Sequence, residues 1–220
     1  MPSAESLALI RSEGERILEL GRRNQERAVP QYPGWVMGDL LSHLGSILAR
    51  TTLICRELAT ERPTLPVPPQ GADMVDWCEA SLREMLATLE ESDPETPVWG
   101  FWQEPSIRRW VRRMVIETGL HRWDADQAFG EEGPLSEAVA TAGLDEFQEM
   151  WVSRLDDMPA MVVQATDLAR RWVYGSGTPE KVVDGTASAI YLRLMSRPSP
   201  VDLPEKWAEA VDNLAGPAKP

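Results

Sequence analysis

Four stretches in the first part of the chain carry apolar residues at helical spacing, and proline-bearing breaks stand between them. Residues 4–24 place Leu7, Ile10, Ile17 and Leu20 among charged neighbours. The segment RRNQERAVPQYPG then interrupts, with Pro30, Pro33 and Gly34 as punctuation. A second period begins at Trp35 and runs through Leu40, Leu41, Leu44, Ile47, Leu48, Thr51 and Ile54 to Leu58. Four prolines in ERPTLPVPPQG forbid helix or mid-sheet strand, so this piece reads as a long crossover. A third helix is predicted over about 72–91, with Met74, Val75, Cys78, Leu82, Met85, Leu86 and Leu89 inward. The loop SDPETPVWGFWQEP leads to a fourth helix over about 105–129, which Gly130 ends. Four helices of this kind joined by one long connection describe a bundle, an architecture whose facing helices commonly house metal sites.

After Pro134 the pattern changes. A helix over about 136–154 precedes short Val- and aromatic-rich runs at 161–165 and 171–174, which read as strands with Gly175 and Gly177 marking a turn. Helices are expected over Ala187–Met195 and Glu205–Leu214, with the tail AGPAKP frayed. The fold class predicted is therefore α+β: a helical bundle over residues 1–133, then a small α+β domain over 134–220.

Charge narrows the partners. A net charge of −13 and a pI near 4.7 argue against nucleic acid and against anionic lipid, both of which select basic faces. No apolar run approaches the roughly 18 residues of a membrane span. The N-terminal residues lack the basic and apolar regions of a signal peptide. Cys55 and Cys78 make no disulfide framework and read as small buried thiols. A cytoplasmic location is expected.

The chemistry concentrates in RWVRRMVIETGLHRWDAD, residues 109–126. Glu117 and His121 stand four residues apart, one turn on the same helical face. The chain has two histidines, and the other, His43, lies on the second apolar helix. Alone, an i,i+4 Glu–His pair is common, and a single His on an apolar face is more often a satisfied core residue. Both histidines of a His-poor chain on facing apolar helices make a sharper pattern. A His43–Glu117–His121 set offers two imidazoles and a carboxylate to a divalent metal and leaves a position open, the catalytic arrangement. Zn²⁺ suits these ligands best, and Ni²⁺, Fe²⁺ and Co²⁺ also accept them.

Around these three, Asp39 precedes His43 by one turn and Asp124 follows His121 by three residues, so either is placed to orient a ligand imidazole. Asp39 equally suits the N-terminal turn of its own helix. Arg113, one turn before Glu117, is placed to hold that carboxylate or to bind a substrate carboxylate bidentately. Arg108, Arg109 and Arg112 read as a solvated face. Trp99, Phe101 and Trp102 either pack the end of the bundle or line a ligand pocket, and Trp102 with Arg113 are the candidate substrate contacts.

Two motifs here resemble the maleylpyruvate isomerase family of mycothiol-dependent enzymes, related in fold to the DinB-like metal-binding bundles. Asp39-Leu40 with His43-Leu44 is similar to that family's D-L-x-x-H-L helix start. Arg113-Met114-x-x-Glu117-x-x-x-His121-Arg122-x-Asp124 is similar to its R-x-x-x-E-x-x-x-H-R-x-D helix. More loosely, Ala165-Thr166-Asp167, Trp172-Val173 and Gly185-Thr186-Ala187-Ser188 resemble its small C-terminal domain, while RPSPVDLPEKW stands where the family often has a further strand ending in Gly-Asp. The resemblance implies a DinB-like four-helix bundle and a metal on His43, Glu117 and His121. It also implies mycothiol as thiol cosubstrate, an electrophilic small molecule as the other reactant, and no catalytic group beyond the metal-activated thiol. An isomerase and an S-transferase use the same site, and a monomer or homodimer suits either. A non-catalytic metal-binding bundle, acting as a sensor or binding module, is the rival from another class. A metal hydrolase using metal-bound water ranks lower, having no separate general base unless Asp124 or Asp39 serves.

Overall fold

The computed structural model describes residues 3–131, 133–155 and 157–213 of the chain. They fall into two compact units that divide between Gly133 and Pro134. The fold class is α+β.

The first unit holds four long helices, α1 (Ala4–Arg23), α2 (Met37–Arg56), α3 (Met74–Glu91) and α4 (Ile107–Phe129). Each start has a chemical reason. Ser3 caps α1 by accepting from the Ser6 N–H, and Asp73 caps α3 by accepting from the Val75 and Asp76 N–H groups. On α2 the cap is reversed: the Asp39 carboxylate accepts the Val36 N–H at 2.9 Å. The helix therefore starts at Met37, while Trp35 and Val36 belong to a short bridge against the Ala28 segment. Gly130 closes α4 in the left-handed region, at φ 69°, where a side chain would be strained.

α2 packs against α3 and α1 against α4, with α1–α3 and α2–α4 contacts completing the ring. Leu40, Leu41, Leu44, Met85, Leu89 and Met114 are wholly buried inside it. Gly45 sets the closest approach of α2 to α3, since a Cβ there would stand 2.5 Å from Trp77 Nε1 and 3.2 Å from the Cys78 Cα. Glu13, Arg122, Asp126, Arg16 and Glu131 form a chain of ion pairs from α1 to α4 and its C-terminal end.

The second unit begins with α5 (Glu137–Glu146). The helix expected over 136–154 forms over that span but changes type along it: α5 ends at Glu146 and passes into a π-helical turn, Phe147–Trp151, and a 3₁₀ turn, Val152–Arg154. The widened turn buries both Phe147 and Met150. Strands β1 (Pro159–Ala165), β2 (Arg171–Tyr174) and β3 (Ser176–Gly185) form a sheet of order β2-β1-β3, with β1 antiparallel to β2 and parallel to β3. The sequence reading missed β3 because it opens on Ser-Gly-Thr-Pro, a turn-like run, and lies at a sheet edge where proline is tolerated. Gly175, at φ 77°, separates β2 from β3, and a Cβ there would lie 2.5 Å from the Pro159 carbonyl oxygen.

Helices α6 (Ala187–Leu194) and α7 (Glu205–Asp212) complete the unit. Trp207 donates to the Pro159 carbonyl at 2.9 Å and Tyr174 to the Leu144 carbonyl at 2.8 Å, fixing two large side chains in its core. Leu214 and the AGPAKP tail lie outside the described residues. Among the described residues, no helix is long and apolar enough to cross a membrane.

Candidate functional site

α4 carries Arg113, Glu117, His121 and Asp124 at helical spacing along one stripe, and α2 faces it with His43. Glu117, His121 and Asp124 are all buried, Asp124 completely. The stripe is internally bonded. Arg113 donates to Glu117 Oε1, while Glu117 Oε2 lies 3.3 Å from His121 Nε2. On the other side of the ring, His121 Nδ1 lies 3.0 Å from Asp124 Oδ2. The same Asp124 oxygen accepts from the Tyr32 hydroxyl at 3.3 Å.

His43 reaches this group across the bundle, its ring centroid 5.2 Å from that of His121 and nearly perpendicular to it, at 88°. Trp35 closes the opposite side of His43 at 5.3 Å, and Tyr32 stacks on Trp35 at 4.7 Å. Tyr32 and Trp35 thus wall the two imidazoles. Sequence reasoning saw the Tyr32 loop only as punctuation and took Trp35 as the start of the His43 helix, which begins instead at Met37.

The electrostatics separate the two histidines. Burial, aided by the nearby His121, pushes His43 down to about 4, so its ring is neutral over the physiological range. Burial also opposes charge on His121, but the Asp124 and Glu117 carboxylates outweigh it and hold that ring above its ordinary value. Burial works against the Glu117 carboxylate too, yet Arg113 and the two histidines keep it well below the usual carboxylate range. A neutral imidazole, an ionised carboxylate and a second imidazole whose Nδ1 is occupied by Asp124 therefore share one site.

Arg113 holds Glu117, the first of its two expected roles. Asp39 caps α2, the role its position in the first turn equally allowed. Trp102 is buried in a cluster with Phe101 and Trp110, 5.5 Å from the latter's ring, so the loop aromatics pack the entry to α4. Arg108 is exposed as expected, but Arg109 and Arg112 are half-buried.

The donor types, their burial and the Asp124-fixed tautomer of His121 suit a divalent cation. Among the described residues, however, no group of three or more His, Cys, Asp or Glu side chains is arranged to hold a metal ion as it stands. Beside His43 opens a cleft of about 720 Å³, lined by polar Gln25, Asp39, Ser42 and Ser46 and by Leu65 and Val67 of the proline-rich crossover.

Residues 8–126 match the family model described as the mycothiol maleylpyruvate isomerase N-terminal domain. Two solved structures resemble the whole chain in fold. One is the crystal structure of a histidine-to-alanine mutant of the mycothiol-dependent maleylpyruvate isomerase, at 16% identity and a TM-score of 0.74. The other is that enzyme without the mutation, at 16% identity and a TM-score of 0.71. Each comparison covers 93% of this chain and 96% of the other. No curated protein matches the sequence.

Proposed function

Because the chain belongs to the mycothiol maleylpyruvate isomerase N-terminal domain family, we propose that it is a metal-dependent enzyme that uses a small thiol, mycothiol, to act on an electrophilic small molecule. The reaction class is isomerisation or thiol transfer, carried out in the cytoplasm by a monomer or homodimer. His43, Glu117 and His121 would hold the metal, with Zn²⁺ best suited to two imidazoles and a carboxylate. When bound, the metal supplies the acidity that turns a coordinating thiol into a nucleophilic thiolate at neutral pH.

What the chain's own residues contribute follows from their contacts. Asp124 occupies Nδ1 of His121, which leaves Nε2 as the atom that gives up a proton to bind a cation. Arg113 keeps Glu117 ionised and oriented. Tyr32 and Trp35 keep water from one side of the imidazoles. The cleft beside His43 offers amide, carboxylate and hydroxyl groups, a lining that suits a polar, hydroxyl-rich thiol. On this reading Arg113 and Trp102 would be the contacts for the electrophile.

The observation that carries this reading is the approach of His43 to His121 from separate helices, beside a buried, ionised Glu117. Metal analysis of the purified chain tests it. We expect about one divalent ion per chain, lost in His43→Ala and in Glu117→Ala; a content indifferent to both substitutions ends the reading. A thiol-induced change in the visible spectrum of the Co²⁺-loaded protein supports the enzyme. A silent spectrum favours a non-catalytic metal-binding module.

A further inference from the structure

The sheet of the second unit is covered on one face. Met161, Val163 and Tyr174 are wholly buried there, and α6 packs against β1 and β3. Strand alternation sends the intervening residues to the opposite face. On that face the register sets two rows across the strands. Val173, Val162 and Val182 make one row, and Arg171, Gln164 and Asp184 make the next. Polar residues are the rule on the open face of such a sheet, yet Val173 is 45% exposed and Val182 52%. The second row carries opposite charges at its ends, two strand spacings or about 10 Å apart. They do not pair: neither Arg171 nor Asp184 makes an ion pair or a side-chain hydrogen bond among the described residues. Gln164, between them, donates to the Ala165 and Arg170 carbonyls and so lies along its own strand rather than bridging the charges.

We propose that this open face docks a second copy of the chain, sheet against sheet, about a two-fold axis lying along β1. Such an axis exchanges the outer strands, so β2 of one copy faces β3 of the other at the same height. Val173 then meets the partner's Val182, and Arg171 meets the partner's Asp184. Each contact is made twice, as an isologous interface requires, and the geometry is that of aligned sheet packing. A two-fold axis across the strands would instead set β2 over β2 and leave the charges unmatched. Charge also selects the occupant. A chain carrying −13 repels its own copies in general, so they meet best where facing charges cancel, and this row sums to zero. A uniformly acidic or basic partner would find one match and one mismatch on it. Three strands of this length present roughly 300 Å² per copy, less than the roughly 1,000 Å² in total of a stable interface. The dimer is therefore weak, with a dissociation constant on the order of 10–100 µM. It is independent of the metal and thiol chemistry proposed for the first unit.

Sedimentation equilibrium of the full chain, from about 1 µM to about 500 µM in roughly 150 mM salt, reads the outcome. The mass is expected to rise from 24.6 kDa toward twice that value. Val182→Lys, which puts a charge in the apolar row, is expected to weaken association about tenfold or more. Arg171→Asp and Asp184→Arg, each alone, set like charges opposite one another and should weaken it by a similar factor. Mixed one to one, these two single variants match again, so a heterodimer should form where neither associates with itself. The double variant, Arg171→Asp with Asp184→Arg, should recover the wild-type affinity. All three positions are exposed, so melting temperatures should stay near wild type, and the charge pair keeps the test open if Val182→Lys fails to fold. A wild type that stays at 24.6 kDa throughout leaves the face to the first unit or to another protein and overturns the proposal. A dimer indifferent to Val182→Lys and Arg171→Asp uses a different surface and overturns it too, as does a mixture that associates no better than its components.

Discussion

Asp124 Oδ2 lies 3.0 Å from His121 Nδ1 at the wholly buried end of the α4 stripe. That contact fixes which nitrogen of His121 faces Glu117, and it raises the proton affinity of the ring. Asp124→Asn removes the charge and keeps the shape. Its expected effect is a loss of about 10–100-fold in metal affinity, read by competition with a chromophoric chelator. In the metal-free protein the His121 pKa should fall, and with two histidines in the chain the proton NMR titration is simple to assign. Unchanged affinity and an unmoved titration would remove Asp124 from its orienting role.

On the proposed ligand set, metal should also stabilise the fold, because His43 and the Glu117–His121 pair stand on two helices that pack against each other. At a free concentration one hundred times the dissociation constant the gain is about 2.7 kcal/mol. For a chain of this size that corresponds to a melting temperature higher by about 5–10 °C. A chelator should reverse the shift, and Glu117→Ala should abolish it. A melting curve blind to both metal and chelator would contradict the ligand set.

Much of this was legible from spacing alone. The four helical periods and their proline breaks locate α1 to α4 within a few residues, because an amphipathic helix writes its buried face into the sequence. Glu117 and His121 were visible for the same reason, and His43 stood out because histidine is scarce. What escaped depends on partners distant in sequence. Tyr32 matters because it meets Asp124, 92 residues away, and no local pattern announces that. β3 is a strand because β1 offers it a parallel edge, not because its own residues demand it. Asp39 had two roles open at the level of sequence, and only the Val36 contact identifies the cap.

The α2–α3 contact predicts a third outcome. Gly45 lies two residues from His43, and a methyl group there would meet Trp77 Nε1 at 2.5 Å and Cδ1 at 2.6 Å. The Cys78 backbone behind it, at 3.2 Å, cannot turn aside as a side chain could. Gly45→Ala should therefore lower stability by about 1–3 kcal/mol, as overpacking does, despite alanine's better helix propensity. Urea unfolding measures this. A stability at or above wild type would mean that Trp77 moves aside freely and that Gly45 does not set the helix spacing.

The two cysteines give the last prediction, a dependence on alkaline pH. Cys55 and Cys78 are 2% and 1% exposed, and burial pushes each thiol up to about 12. An unfolded chain releases the same protons near 8.5. The raised folded value means that the neutral thiol is favoured in the native state. The stabilisation it represents is complete below about 8.5 and is lost as pH climbs from there toward the folded value. Above that threshold stability should fall by roughly 1.4 kcal/mol per pH unit for each thiol, until the native thiols also ionise. Native protein at pH 8 should react with no more than a trace of a disulfide-exchange reagent, and guanidinium-unfolded protein with two equivalents, one for each cysteine. Replacing both residues with alanine should flatten the alkaline limb of the stability curve while lowering its plateau through lost packing. Rapid labelling of either thiol in the folded chain, at a rate independent of denaturant, would show that its burial is not maintained in solution.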